Sequence, residues 1–86
     1  MTEPVSWLVV EPGWTVEAGD GKEVGTVREV LGDTEADIFD GLAVSHGVLK
    51  RARYVPAESV GEITEGRVGL TVSSRDFKRL DEYQPT

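Results

Sequence analysis

Apolar positions in this chain come in short runs, and most runs are closed by glycine or proline. Three segments set the pattern: Asp20-Gly21-Lys22-Glu23-Val24-Gly25-Thr26-Val27, Ile38-Phe39-Asp40-Gly41-Leu42-Ala43-Val44 and Arg53-Tyr54-Val55-Pro56-Ala57-Glu58. Each sets β-branched or aromatic residues beside a Gly or Pro that forces a turn, bulge or stop. The cleanest alternation is at 67–72, with Val68, Leu70 and Val72 on one side and Arg67, Gly69 and Thr71 on the other. That period of two predicts a half-buried strand. Residues 13–17 predict another short strand after the Pro12-Gly13 turn, and Asp20-Gly21 predicts the hairpin that follows it. Val24, Val27 and Val30 recur at a helix-like spacing of three. Gly25, Thr26 and the β-branched valines disfavour a helix, so the spacing predicts a strand bulged near Gly25 or Thr26.

Further along, 32–35 read as a turn and 36–45 as a strand with Ile38, Leu42 and Val44 on one side, bent at Asp40-Gly41. Ser45, His46 and Gly47 close it, 48–55 return, and Pro56 stops the pairing because it has no N–H to donate. A single tight turn is expected at 57–60, with Ile63 in the connection to the Gly66 turn. The period then changes. Phe77, Leu80 and Tyr83 recur as one stripe of a short helix over about 74–83, capped from Ser73-Ser74 and docked over an open end of the sheet. Trp7, Leu8, Val9 and Val10 are apolar on both faces of a strand, so the run needs cover from the tail helix or from a second copy. The expected fold is mainly all-β: one domain over 1–86, a small, mostly antiparallel β-barrel or half-barrel of about six strands with a short C-terminal helix.

Composition narrows this picture. Eighty-six residues, 38% hydrophobic and 29% charged, suit one globular domain with a single modest core. The absence of Cys removes disulfides and thiolate chemistry, and fits a cytoplasmic setting. No basic leader precedes a long apolar run, and residues 7–10 are far too few to span a bilayer, so no transmembrane segment is expected. The net charge of −7 is uneven: residues 1–40 carry −8, 41–57 carry +3 and 58–86 carry −2. Such a field repels nucleic acid and anionic lipid on average. It leaves Lys50, Arg51 and Arg53 as a basic segment able to face an acidic partner or the acidic half of another copy.

Candidate chemistry is sparse. His46 stands alone in a turn, without a second His or Cys to share a metal, and reads as a solvated turn residue. Asp33, Glu35, Asp37 and Asp40 lack the order of a calcium loop and read as a solvated acidic face. Arg51 and Arg53 on one strand face guard an edge against aggregation, or meet a partner's carboxylates; an RNA footprint usually needs a larger stripe. Gly66-Arg67-Val68-Gly69 lacks the Lys and Ser/Thr of a phosphate loop, Ser59, Ser73 and Ser74 have no nearby base, and His46 has no orienting partner visible in sequence. Catalytic, cofactor and metal sites are each expected to be absent.

In order and spacing, Gly13-Trp14-x-Val16, Asp20-Gly21-x-x-Val24-Gly25-x-Val27-x-x-Val30, Phe39-x-Gly41-Leu42-x-Val44, Tyr54-Val55-Pro56-Ala57-x-x-Val60-x-x-Ile63 and Val68-x-Leu70 resemble the PRC-barrel domain. That family includes the cytoplasmic domain of the photosynthetic reaction-centre H subunit and the C-terminal domain of the bacterial ribosome maturation factor. The matching residues span 13–72, and the flanks look similar to small free-standing bacterial members. The resemblance implies a compact barrel used as an adaptor or assembly module, with no catalytic residues to carry over. This chain shows neither the H subunit's membrane helix nor the maturation factor's partner domain, so neither role transfers. The expectation is a non-enzymatic protein-interaction module in a prokaryotic cytoplasm, with no cofactor. It self-associates as a homodimer or meets an unknown protein partner through Trp7, Leu8, Val9, Val10, Lys50, Arg51 and Arg53. The alternative is RNA or ribosome-associated binding through the Lys50, Arg51 and Arg53 segment.

Overall fold

The computed structural model describes residues 4–46 and 51–83. Six strands follow in order: β1 (Thr15–Glu17), β2 (Glu23–Asp33), β3 (Ile38–Ser45), β4 (Arg53–Pro56), β5 (Val60–Thr64) and β6 (Arg67–Leu70), and then one helical turn, α1 (Ser74–Phe77). They form a single sheet in the order β4-β3-β2-β1-β6-β5. Four of the pairings are antiparallel; β1 and β6 run parallel. The ladder is not closed between β4 and β5. Yet every strand and α1 feed one apolar cluster that includes Val16, Val27, Leu42, Val55, Ile63, Val68 and Phe77. A single sheet reaches one shared core from all its strands only by curling around it, which gives the barrel-like form.

Bulges supply the curl. Between β1 and β2 the pairs Val16↔Gly25 and Glu17↔Glu23 leave Val24 as the extra residue. Between β2 and β3 the pairs Val27↔Val44 and Glu29↔Ala43 leave Arg28 extra, and Leu31↔Gly41 with Gly32↔Phe39 leaves Asp40 extra. Each extra residue resets the inward parity. Val24 and Val27 are therefore both buried, and Val30 packs against the same core, at a spacing of three. Gly25 and Gly41 sit beside these bulges for a separate reason. A Cβ on Gly25 would run into the Ser45 carbonyl oxygen, and one on Gly41 into that of Val55.

Several expectations change. Ile38 does not share a buried face with Leu42 and Val44: it is 60% exposed, because the Asp40 bulge lies between them and reverses its side. Ile63 lies in β5, paired with Val68, rather than in a connection. The turn at Ala57–Ser59 is a single 3-10 turn, so β5 starts directly at Val60. The turn at Gly47, the strand start at Val48 and the basic side chain of Lys50 fall outside the described residues.

The tail departs most. Ser73 caps α1, its Oγ accepting from the Asp76 N–H at 3.1 Å, and Phe77 is fully buried. The helix then ends, after one turn instead of reaching 83. Residues 81–83 run alongside β4: the Tyr54 N–H donates to Asp81 O and the Tyr83 N–H to Ala52 O, both at 2.8 Å. A ten-residue helix is marginal by itself, and extending it would leave this sheet edge unpaired. The opposite edge is covered too, since Pro4 bridges Thr64 and the Val5 N–H donates to Ile63 O at 2.7 Å. Among the described residues no helix is long and apolar enough to cross a membrane.

Candidate interaction surface

Residues 7–10 fold as a turn, not as the strand their apolar character predicts. The Ser6 Oγ accepts from the Leu8 N–H, and the Val10 N–H donates to Trp7 O, closing the 3-10 turn Trp7–Val9. A turn sends its side chains in different directions, which removes the need for a cover on two faces. Val10 enters the core, whereas Leu8 and Val9 remain 47% and 50% exposed. Trp7 fixes the turn to the β2–β3 end of the sheet. Its ring stacks on Phe39 with centroids 5.0 Å apart, and its indole Nε1–H donates to Asp37 Oδ1 at 3.0 Å. Asp37 holds a left-handed backbone at φ 53°, a conformation that short polar residues tolerate. Ile38, between Asp37 and Phe39 in the chain, joins Leu8 and Val9 as the exposed large hydrophobics among the described residues.

Val9 also lines an open cleft of about 340 Å³, together with Val5, Glu11, Trp14 and Glu65. Three backbone contacts assemble it. Val5 is held by Ile63 O, the Trp14 N–H donates to Glu11 O at 3.3 Å, and the Thr15 N–H reaches Gly66 O at 3.1 Å. The last contact brings the start of β1 to the β5–β6 turn, where Gly66 adopts φ 82°. Glu65 and Trp14 thus meet across a long stretch of sequence. Of these residues the sequence marks Val9 as a candidate surface position and Trp14 as part of a strand, but carries no signal for Val5, Glu11 or Glu65.

The two described arginines of the basic segment both reach the tail, Arg51 while remaining exposed. Arg51 Nη1 pairs with Glu82 Oε2 at 3.2 Å, and Arg53 Nη1 donates to the Leu80 carbonyl at 2.8 Å. Both guanidinium groups hold the tail against β4. The acidic loop is dispersed as well. Asp33 Oδ1 accepts from the backbone N–H groups of Glu35 and Ala36, Asp37 takes the Trp7 indole, and Asp40 takes the Tyr54 hydroxyl at 2.9 Å. Burial, followed by that bond to Asp40, raises the Tyr54 hydroxyl above the ordinary value of 10.0. No three His, Asp or Glu side chains converge as a metal set among the described residues. His46 is exposed, its ring 6.4 Å from that of Phe77.

The family model of the PRC-barrel domain matches residues 12–77, a span that takes in all six strands and α1. No curated protein matches the sequence. Residues 7–10 precede the matched span, although Val10 belongs to the same core.

Proposed function

Because the chain belongs to the PRC-barrel family, we propose that it acts as a non-catalytic protein-interaction module that self-associates through the surface around Trp7, Leu8, Val9 and Ile38. The observation that carries this reading is the rigid presentation of exposed apolar side chains. A turn held by a Ser6 cap, an aromatic stack and an indole hydrogen bond loses little entropy on docking. A second copy of the same patch, related by a two-fold axis, offers a matching apolar face. The Cys-free composition fits a cytoplasmic setting in a prokaryotic cell.

RNA binding through the basic segment is the weaker reading, since the net charge of −7 repels nucleic acid and Arg53 donates to the Leu80 carbonyl. Light scattering on purified protein tests self-association. A dimer is expected at high micromolar concentration, and Leu8→Asp combined with Val9→Asp should weaken it by about thirtyfold, the loss of roughly 2 kcal/mol of apolar contact. A wild-type protein that stays monomeric at that concentration would sink the reading.

A further inference from the structure

We infer that the cleft between Val5, Val9 and Trp14 receives a lysine or arginine side chain from a segment of another protein, with Glu11 and Glu65 holding its charge. The inference rests on the interaction-module reading but not on self-association, because Glu11, Trp14 and Glu65 of the cleft lie outside the surface assigned to the second copy and Val9 alone is shared.

Size argues for a side chain. A cleft of about 340 Å³ is near the lower end for small-molecule sites and is open to solvent rather than enclosing. It suits a long side chain entering from a chain that stays outside. Chemistry then selects which one. Val5 and Val9 offer an apolar wall for a methylene stem, and long cationic side chains bury such stems while their charge stays at the polar rim. The half-buried Trp14 indole attracts cations through its ring face. Glu11 and Glu65 have no ion-pair partner among the described residues, while Arg67, two positions after Glu65, is committed to Glu17. Two unpaired carboxylates beside an aromatic ring and an aliphatic wall match a cation on a hydrocarbon stem. The surrounding −8 of residues 1–40 draws a basic partner in and repels an acidic one. A second copy is a poor source of that side chain, since it carries the same net charge of −7 and meets this acidic region with overall repulsion.

The probe is a short capped peptide with two arginines flanked by leucine, titrated into the full chain and followed by amide and indole NMR shifts. A counterpart with neutral citrulline in place of arginine serves as the control. The shifts should centre on Val5, Val9, Glu11, Trp14 and Glu65, and the citrulline peptide should leave them unmoved. Glu11→Gln with Glu65→Gln should weaken binding at least about fivefold, the size expected for two partly exposed charge contacts. Glu23→Gln with Glu35→Gln changes the net charge equally at a distance from the cleft, and should change the affinity less than about twofold. Equal weakening by both double variants would reduce the effect to general acidic attraction and overturn the inference. Shifts centred elsewhere, or spermidine binding as tightly as the peptide, would also overturn it. Diffusion measured on the same samples separates the two readings. A monomer that binds the peptide ends self-association alone, and a dimer that ignores it ends this inference alone.

Discussion

Phe77 is the only buried residue of α1, and its ring is fully enclosed against strands from the opposite part of the sequence. Phe77→Ala should cost about 3–5 kcal/mol, a large part of the roughly 5–15 kcal/mol of a domain this size, read as a fall in urea midpoint at constant slope. Glycines give a contrast at the same scale. Gly41→Ala drives a methyl into the Val55 carbonyl across a paired strand, whereas a Cβ on Gly61 meets Gly69 O at an ordinary 3.4 Å. Gly41→Ala should destabilise by more than about 1 kcal/mol, and Gly61→Ala should stay within about 0.5 kcal/mol. Tyr54 adds a pH dependence. Its hydroxyl titrates higher when folded than the unfolded value of 10.0, so its contribution is complete below about pH 10 and is lost as pH rises through the folded value. Stability should therefore decline on the alkaline side, and Tyr54→Phe should make that decline shallower in urea titrations run at successive pH values.

At the scale of elements, the tail strap on β4 is the most exposed to test. Removing residues 81–86 takes away the acceptor of the Tyr54 N–H and the donor to Ala52 O. The Tyr54 amide should then exchange with solvent faster than the amides paired inside β2–β3, and the bare edge should raise the tendency to aggregate. The same elements show what sequence could and could not deliver. The hairpin at Gly21 and strands β1, β2, β3 and β6 were legible because a D-G turn, β-branched runs and period-two alternation each leave a local signature. Strand β5 was hidden because Gly61 and Glu62 break the alternation at its own bulge. The helix was overdrawn because Phe77, Leu80 and Tyr83 all lie against the fold, but Leu80 and Tyr83 do so through a turn and a sheet-edge pairing. The cleft left no local trace, since Trp14 and Glu65 are joined only through the parallel meeting of β1 and β6.

Over the whole molecule, that parallel meeting governs the order of assembly. Pairing Thr15 with Arg67 closes a loop of about fifty residues, whose entropy costs about 3.5 kcal/mol, while β2, β3 and β4 pair with chain neighbours. The meander should form first and the β1–β6 contact late. Leu42→Ala should therefore slow folding, while Val68→Ala should chiefly speed unfolding, as read from the two arms of a chevron plot. The charge map acts at this scale too. With −8 on residues 1–40 and the described arginines of the basic segment already engaged, added salt should favour self-association by screening repulsion between copies. Raising salt in the light-scattering experiment should move the dimer to lower protein concentration. The segments at 4–5 and 81–83 grip opposite outer strands of one open ladder, so flanking polypeptide pulls directly on the seams. Tension along the chain would unzip these seams one hydrogen bond at a time before loading the core. The Val5 wall of the cleft would come away with the seam at 4–5, which ties the shape of the cleft to mechanical load on that edge.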